Sequence, residues 1–452
     1  MSRTGTALPI VIVGGGPAGL TAAIAAADRG ARVDLCEQLD RPGAKLLASG
    51  GGRCNLTNTL DRESFMARFG RQGRFMAPAL AAMDSAGLRA FLARLGVPTV
   101  VDEDGVRVWP VSRSAVTVQS ALWRRCRELR VQVRLGVRAT ELMIEGNEVT
   151  GVMTESGPAP GRRVILAAGG RGYPELGGGR TGYEMAMQVG HEIIDPTPAL
   201  VPLLTAEDWP GRCAGVALPL VRVRIDLPGQ PAAGQVGELI FTHRGISGPA
   251  ALDISAEVAD LLRHQPTVPL RVEIAPDSST PGQGLGKPGP RGPGPRTARL
   301  ATGRLATGRL ASVQRWPELF DRWGHEHGGK MLRTVLGRQV PARLAEAVMA
   351  LAGVDRDVRA AQVSRPGRDR LASLLTSLPL TVTGTEGFRR AMVTRGGVML
   401  AGVRPNTLQS RWCDNLYLAG ELLDLAGPSG GFNLQWAFSS GWLAGSSAAT
   451  AT

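Results

Sequence analysis

The chain has 452 residues, of which 43% are hydrophobic and 20% are charged, and its formal net charge is +13 at pH 7. This length supports two or three domains with cores of their own, and the composition excludes a disordered or fibrous protein. The charge comes almost wholly from arginines that are dispersed rather than clustered with aromatic residues, which disfavours nucleic acid as a partner.

The first predicted elements form a parallel β-α-β unit. In PIVIVGGGPAGLTAAIAAADRGARVDLCE, an apolar strand over 9–13 leads through a glycine turn into an alanine-rich helix ending near residue 29, and a second strand follows over 31–37. The opening apolar run is too short for a signal peptide or a membrane span. We therefore expect a cytoplasmic protein without a membrane partner.

The glycines of this unit fit a dinucleotide-binding turn. Gly14, Gly16 and Gly19 form G-x-G-x-x-G, in which the missing side chains let a pyrophosphate approach the backbone at the helix N-terminus. Glu37 ends the second strand, where an acid accepts hydrogen bonds from an adenosine ribose. This spacing predicts a dinucleotide cofactor, but the fingerprint alone does not separate FAD from NAD.

The next elements are helical, then strand-like, then mixed. Helical patterns around 75–95 and 115–130 precede strand-like alternation and the apolar strand RRVILAAGG, and short β-branched segments occupy 200–274. A proline-, glycine- and arginine-rich stretch follows, and then helical spacing over 316–376. The C-terminal part adds an apolar strand, a glycine-rich loop and a helix, which would complete the first domain.

These elements predict an α/β fold class. We expect an FAD/NAD(P)-binding Rossmann-like domain with a mostly β, barrel-like insertion and a small helical subdomain. The predicted domains are a discontinuous FAD-binding domain over 1–198 and 385–452, a β-rich insertion domain over 199–276 and 370–384, a disordered Pro/Gly/Arg insertion over 277–312, and a helical subdomain over 313–369.

Three further motifs resemble a known family. GAKLLASGGGRCNLTN, ELIFTHRGISGPAALDIS and AGELLDLAGPSGGFNLQWAFSSG are similar to those of a bacterial family of FAD-dependent flavoproteins. That family includes aminoacetone oxidase-like and bile-acid-reductase-like members, which are NAD(P)/FAD-dependent oxidoreductases. The resemblance covers most of the chain outside the proline- and glycine-rich stretch. It implies that FAD, rather than NAD, is the bound cofactor.

The resemblance also implies which residues hold the cofactor. Gly420 and Glu421 resemble a glycine-acid step that meets the ribityl chain and the pyrophosphate, and the helix that follows Gly430 would stabilise negative charge on the flavin pyrimidine. The predicted cofactor-binding residues are Gly14, Gly16, Ala18, Gly19, Glu37, Lys45, Gly51, Arg53, Cys54, Asn55, Ala139, Gly169, Gly420, Glu421, Gly430, Gly431, Phe432 and Asn433.

The catalytic residues are not predicted beyond two candidates. His243, in FTHRGISG, is a candidate proton carrier, although a histidine hydrogen-bonded within a turn is the alternative. Cys54 is a candidate thiol beside the flavin, although a small residue packed on the cofactor is the alternative. The five cysteines are scattered without a C-x-x-C pair, so we expect reduced thiols and no metal site.

The sequence predicts an FAD-dependent oxidoreductase that acts on an unidentified small molecule. Hydride would pass through flavin N5 to oxygen or to an organic acceptor, and NADH or NADPH is a candidate donor. Two alternatives stay open. One is a flavin-dependent RNA-modifying protein, which the basic charge suggests, and the other is a non-catalytic, flavin-binding redox sensor. The sequence predicts neither the substrate nor the oligomeric state.

Overall fold

The structure of the chain is a computed structural model that describes residues 8–275 and 316–451. The predicted insertion over 277–312 lies outside the described residues. The described residues divide into two compact units, one within Met1–Ala199 and Gly387–Thr452 and the other within Leu200–Glu386. These divisions lie close to the predicted boundaries at 198/199 and 384/385.

Both units of the described residues contain helices and strands. The strands are β1 (Ile10–Val13), β2 (Val33–Glu37), β3 (Thr57–Asn58), β4 (Thr99–Val101), β5 (Arg107–Pro110), β6 (Gln132–Leu135), β7 (Ala139–Glu145), β8 (Glu148–Thr154), β9 (Gly157–Pro160), β10 (Arg163–Leu166), β11 (Ile193–Ala199), β12 (Leu203–Thr205), β13 (Ala217–Ile225), β14 (Gln235–Thr242), β15 (Gly245–Ser247), β16 (Val268–Ile274), β17 (Leu378–Thr385), β18 (Val393–Val398) and β19 (Leu416–Leu418). The α-helices are α1 (Pro17–Ala27), α2 (Ala44–Ala48), α3 (Arg62–Ala67), α4 (Ala77–Ala82), α5 (Ser85–Arg94), α6 (Ala115–Glu128), α7 (Thr181–Met187), α8 (Trp209–Arg212), α9 (Pro249–Leu252), α10 (Ser255–Leu261), α11 (Trp316–Glu326), α12 (Leu332–Leu336), α13 (Ala342–Leu351), α14 (Arg365–Thr376) and α15 (Phe432–Thr450).

A five-stranded parallel sheet with the order β19-β10-β1-β2-β6 forms the centre of the first unit. All four residues of β1 are buried, as expected for a central parallel strand that is covered on both faces. The carboxyl ends of β1, β2 and β10 lie at one edge of the sheet and lead into Gly14, Gln38 and Ala167. Open α/β sheets bind ligands at this edge.

Helices α1 and α15 pack against each other on this sheet through glycine. A Cβ atom at Gly441 would lie 2.2 Å from the carbonyl oxygen of Ala18, and one at Gly445 would lie 2.2 Å from that of Ala22. Two helix backbones approach this closely only where one of them carries no side chain. The C-terminal helix is thereby fixed against the helix that follows the glycine turn.

A closed barrel with the order β12-β15-β14-β13-β16-β17 forms the second unit together with helices α11–α14. Apolar residues of the barrel and of these helices belong to one hydrophobic core. Within it, Trp316 Nε1 donates a hydrogen bond to the carbonyl oxygen of Ile274 at 2.8 Å. The barrel and the helices therefore stabilise each other.

One predicted domain boundary of the second unit lies inside a helix. The helical spacing predicted over 316–376 continues to the end of α14 at Thr376, so the β-rich segment predicted over 370–384 begins within that helix. Leu371, Ala372 and Leu375 are buried at helical spacing, so the apolar face of the helix continues to its end. The strand that returns the chain begins only at Leu378.

Within 8–275 and 316–451, no helix combines the length and the apolar character needed to cross a membrane. The five cysteines are free and buried. In the same part of the chain, no group of three or more histidine, cysteine, aspartate or glutamate side chains is placed to hold a metal ion.

His191 makes the stability of the first unit depend on pH. Its side chain is buried with Nε2 2.9 Å from Ser410 Oγ, and burial lowers the pKa of His191 from 6.5 to about 4. Between these values the unfolded chain binds a proton that the folded chain does not bind. Stability therefore falls as the pH falls from 6.5 to 4, by roughly 3 kcal/mol in total.

This effect is measurable by urea unfolding at a series of pH values. We expect His191→Gln to make the loss of stability between pH 6.5 and pH 4 shallower than in the parent chain. The matched control is His264→Gln, the same change at an exposed side chain. Equal slopes for all three proteins would contradict the assignment to His191.

Candidate functional site

The predicted dinucleotide turn lies between β1 and α1. Gly14 has a φ of +100°, and a Cβ atom there would lie 2.5 Å from the carbonyl oxygen of Ala167. A Cβ at Gly19 would lie 1.8 Å from the carbonyl oxygen of Gly14. At Gly16, which precedes α1, no described atom beyond its chain neighbours lies within 4 Å of the Cβ position. Packing therefore requires the first and third glycines, and the second leaves free space at the helix N-terminus, where a pyrophosphate fits.

Glu37 lies at the end of β2, beside this turn. Its buried carboxylate accepts hydrogen bonds from Gly15 N at 2.7 Å and from Leu39 N at 2.9 Å. Burial raises the pKa of Glu37 above its ordinary value, and the two N–H donors counteract part of this rise. The carbonyl oxygen of Glu37 also accepts from Val137 N at 2.9 Å, which brings the start of β7 at Ala139 close to the acid. This grouping is suited to an adenosine, because a carboxylate has further lone pairs for ribose hydroxyls.

An ion pair joins two predicted residues that are far apart in the sequence. Lys45 Nζ donates to both carboxylate oxygens of Glu421, at 2.7 and 3.0 Å, and both side chains are half-buried. Thr394 N donates to the same carboxylate at 2.9 Å. Gly420, with a φ of +75°, lies against the first turn of α1, since a Cβ there would be 2.8 Å from Ala18 Cβ. The segment that contains α2 and the segment that follows β19 therefore meet at the start of α1.

Two buried polar residues beside this ion pair were missed by the sequence analysis. Thr394 Oγ1 accepts hydrogen bonds from Arg171 N at 2.8 Å and from Gly172 N at 3.1 Å. Tyr183 is 3% exposed, and burial together with the nearby Glu421 raises the pKa of its hydroxyl above the ordinary value. Thr394 lies within an ordinary strand pattern and Tyr183 within a short helix, so neither carried a local signal in the sequence.

The glycine-rich loop after α2 has an unusual backbone. Within Ser49–Gly52, three consecutive glycines have positive φ angles of +57°, +64° and +84°, and Cys54 has a φ of +64°. Gly51 and Arg53 are exposed, Asn55 is half-buried, and Cys54 is completely buried. The loop therefore presents Gly51 and Arg53 to the solvent, whereas Cys54 faces the protein interior.

The environment of Cys54 argues against thiolate chemistry. Burial raises the pKa of the Cys54 thiol to about 12, although a hydrogen bond with Ser49 acts in the opposite direction. The thiol is therefore protonated at neutral pH, and a protonated thiol is a poor nucleophile. We expect Cys54→Ala to keep the rates of flavin reduction and reoxidation within about twofold of the parent chain in stopped-flow absorbance. Loss of either rate with FAD still bound would instead support a catalytic thiol.

The start of α15 contacts the segment that follows the glycine-rich loop. Asn58 Nδ2 donates to the carbonyl oxygen of Gly430 at 3.2 Å, and a Cβ at Gly431 would lie 2.6 Å from the carbonyl oxygen of Thr57. The Asn433 side chain accepts a hydrogen bond from Gly427 N and donates one to the carbonyl oxygen of Gly427, each at 2.8 Å, in the loop before α15. Two of the predicted motifs therefore meet at the N-terminus of α15.

The remaining predicted residues lie in different surroundings. Phe432 is buried against Phe65, with ring centroids 4.8 Å apart. Gly169 follows β10 with a φ of +75° and free space at its Cβ position. His243 is exposed in the turn between β14 and β15 of the second unit. The first unit thus brings together the cofactor-binding candidates, and the role of His243 stays a prediction.

The chain is similar to known enzymes over almost its whole length. Residues 8–447 match the family model described as "HI0933-like protein Rossmann domain". The chain is 31% identical over 444 residues to 3-dehydro-bile acid delta(4,6)-reductase of Clostridium scindens. The alignment covers 97% of this chain and 98% of that relative. It is 28% identical over 436 residues to ribosomal RNA dihydrouridine synthase of Escherichia coli, and this alignment covers 96% of each chain.

The fold is also similar to that of a solved steroid enzyme. The structure aligns with 3-ketosteroid-delta4-(5alpha)-dehydrogenase from Rhodococcus jostii RHA1 in complex with 4-androstene-3,17-dione, with a TM-score of 0.50, 16% identity and 99% coverage of each chain. The predicted family resemblance, the α/β fold class, FAD as the cofactor and an FAD-dependent oxidoreductase are confirmed. The chain belongs to the HI0933-like family of Rossmann-domain proteins.

Proposed function

We propose that this oxidoreductase reduces a carbon–carbon double bond that is conjugated with a carbonyl group. The names of two relatives support this reaction type. One relative reduces the delta(4,6) bonds of a 3-dehydro bile acid, and the other makes dihydrouridine in ribosomal RNA. Both names describe the saturation of a double bond in an electron-poor ring, which is a hydride acceptor.

The residues of the first unit would hold FAD in an extended form. The free space at Gly16 and the N-terminus of α1 would take the pyrophosphate, and Glu37 would accept hydrogen bonds from the ribose. Lys45 and Glu421 would lie along the ribityl chain, with the ion pair and Thr394 N fixing the carboxylate. When bound, FAD supplies hydride transfer through N5.

The observation that carries the proposal is the position of the α15 N-terminus. Helix α15 has 19 residues, and its first N–H groups follow two glycines that are held against Thr57 and Asn58. The positive end of a helix stabilises negative charge, which would favour storing a hydride on the flavin. The helix would thereby raise the electron affinity of the flavin without an acidic or basic side chain.

The first test follows the flavin absorption of the purified protein without oxygen. We expect NADH or NADPH to bleach the flavin band, and a 4-en-3-one or 4,6-dien-3-one steroid acid to restore it. The steroid should gain two hydrogen atoms per double bond in the mass spectrum. The saturated 3-oxo steroid is the control and should leave the flavin reduced. If the flavin is reduced but neither a steroid enone nor a uridine-containing RNA reoxidises it, the proposed reaction is wrong.

A second candidate function is the reduction of uridine in RNA. The net charge of +13 and the 28% identity to a ribosomal RNA dihydrouridine synthase favour it. In the same assay, reoxidation by a uridine-containing RNA but not by steroid enones would select this function. Reduction of the flavin without turnover of either substrate would select the redox-sensor alternative.

A further inference from the structure

Three exposed arginines, Arg68, Arg71 and Arg74, lie on one short segment of the first unit, and we call them the arginine stripe. Arg68 follows α3, and the other two lie in a 3-10 helix, Gly70–Met76. Side chains three positions apart lie on the same edge of such a helix, which places Arg71 and Arg74 about 6 Å apart. The sequence from 64 to 83 contains no aspartate or glutamate. Although arginines are dispersed over the chain as a whole, this segment therefore concentrates positive charge.

The charges of the stripe are not balanced by neighbouring carboxylates. Arg62, at the start of α3, pairs with Asp84 at 2.9 Å, but within 8–275 and 316–451 no carboxylate oxygen lies within 4.0 Å of a stripe nitrogen. Asp424 lies against the segment, yet its carboxylate accepts hydrogen bonds from Gln72 Nε2 at 2.5 Å and from Gly396 N at 3.1 Å. The stripe arginines are not among the residues that would hold FAD. Their charge is therefore available to an anionic partner other than the cofactor.

The buried side of the same segment is fixed to the start of α15. The rings of Phe65 and Phe69 lie 4.8 and 6.1 Å from that of Phe432, measured between centroids. A Cβ at Gly73 would lie 1.9 Å from the carbonyl oxygen of Met66, so the 3-10 helix packs closely on α3. The segment is thus a rigid element that presents arginines to solvent on one side. Its other side contacts the helix end that would face the flavin pyrimidine.

We propose that the arginine stripe binds successive phosphates of an RNA strand and holds that strand beside the N-terminus of α15. This rests on the second candidate function, the reduction of uridine in RNA. Guanidinium groups bind phosphates through paired hydrogen bonds, and several of them in a row suit a repeating anion better than a single carboxylate. A membrane surface fits less well. Residues 61–83 expose no large hydrophobic side chain that could enter a lipid layer.

The test measures RNA binding by the FAD-loaded protein with oxidised flavin, so it requires no turnover. A short fluorescein-labelled oligouridylate is titrated at a series of salt concentrations, and its anisotropy is followed. The stripe variant carries Arg68→Gln, Arg71→Gln and Arg74→Gln together. Each phosphate contact on a single strand contributes about 0.7 to the slope of log affinity against log salt, so we expect this slope to become shallower by about 2. At about 0.1 M salt the affinity should fall roughly 100-fold, and the difference should vanish towards about 1 M.

A second triple variant removes the same charge from dispersed positions. It carries Arg94→Gln on α5, Arg127→Gln on α6 and Arg404→Gln before β19, all exposed and none in an ion pair within the described residues. It should keep the salt dependence of the parent chain. The single variant Arg71→Gln, a smaller change, should reduce the slope by about 0.7.

The other outcomes would overturn the proposal. Equal losses in the two triple variants would show that only net charge matters. Loss of FAD from the stripe variant would place these arginines in the cofactor site. Weaker binding to vesicles of phosphatidylserine and phosphatidylcholine, with RNA binding unchanged, would assign the stripe to a membrane surface instead. If the stripe is required for RNA binding but RNA does not reoxidise the reduced flavin, only the reduction of uridine fails.

Discussion

Replacing Gly16 with valine will remove FAD from a chain that still folds. Gly16 has a φ of −73° and a ψ of −177°, which is extended backbone that valine adopts readily. Its Cβ position meets no described atom within 4 Å, so the new side chain would enter the space in front of α1. The N–H groups at the helix start would then lose access to the pyrophosphate. We expect FAD affinity to fall at least about 100-fold, or about 3 kcal/mol.

FAD titration followed by fluorescence measures this loss, and circular dichroism verifies the fold. Gly329→Val is the matched control, because Gly329 lies in the second unit and also has free space at its Cβ position. It should bind FAD as the parent chain does. FAD affinity of Gly16→Val within about threefold of the control would show that the pyrophosphate lies elsewhere.

The sequence predicted the β-α-β unit well because its signals are local. The strand expected over 9–13 is Ile10–Val13, and the helix expected to end near residue 29 ends at Ala27. An apolar run fixes a central parallel strand, and glycines fix the turn, whatever the rest of the chain does. Short-range patterns of this kind predict secondary structure without information on tertiary contacts.

The contacts that complete the candidate site depend on long-range packing. Asn58 and Gly430 are 372 positions apart, and Lys45 and Glu421 are 376 positions apart. No periodicity connects such pairs, so only the family resemblance placed Glu421 near the cofactor. Thr394 and Tyr183 were missed for the same reason, since each gains its role from distant partners. In the second unit, helical spacing was predicted over 316–376, but the boundary of the helical subdomain was placed at residue 369, inside α14.

Replacing Gly441 or Gly445 with alanine should destabilise the first unit strongly. In an isolated helix this change stabilises by about 1 kcal/mol. Here each new methyl group would lie 2.2 Å from a backbone carbonyl oxygen of α1, which cannot turn away as the tip of a side chain can. The two helices would have to separate, so we expect a net loss of about 2–3 kcal/mol for each variant. Urea unfolding of the FAD-free chain measures this directly, since bound FAD would add its own stabilisation.

Gly87→Ala is the control with the opposite sign. Gly87 lies in α5, where a Cβ atom would meet Asp84 Oδ1 at 3.5 Å, an ordinary contact, and we expect a gain of about 0.5–1 kcal/mol. The two destabilised variants should also differ from each other. Gly441 contacts Ala18 in the first turn of α1, so Gly441→Ala should weaken FAD binding more than Gly445→Ala, which contacts Ala22 one turn later. If Gly441→Ala stabilises the chain as Gly87→Ala does, the close approach of the two helices is wrong, and with it the support of the cofactor turn by the C-terminal helix.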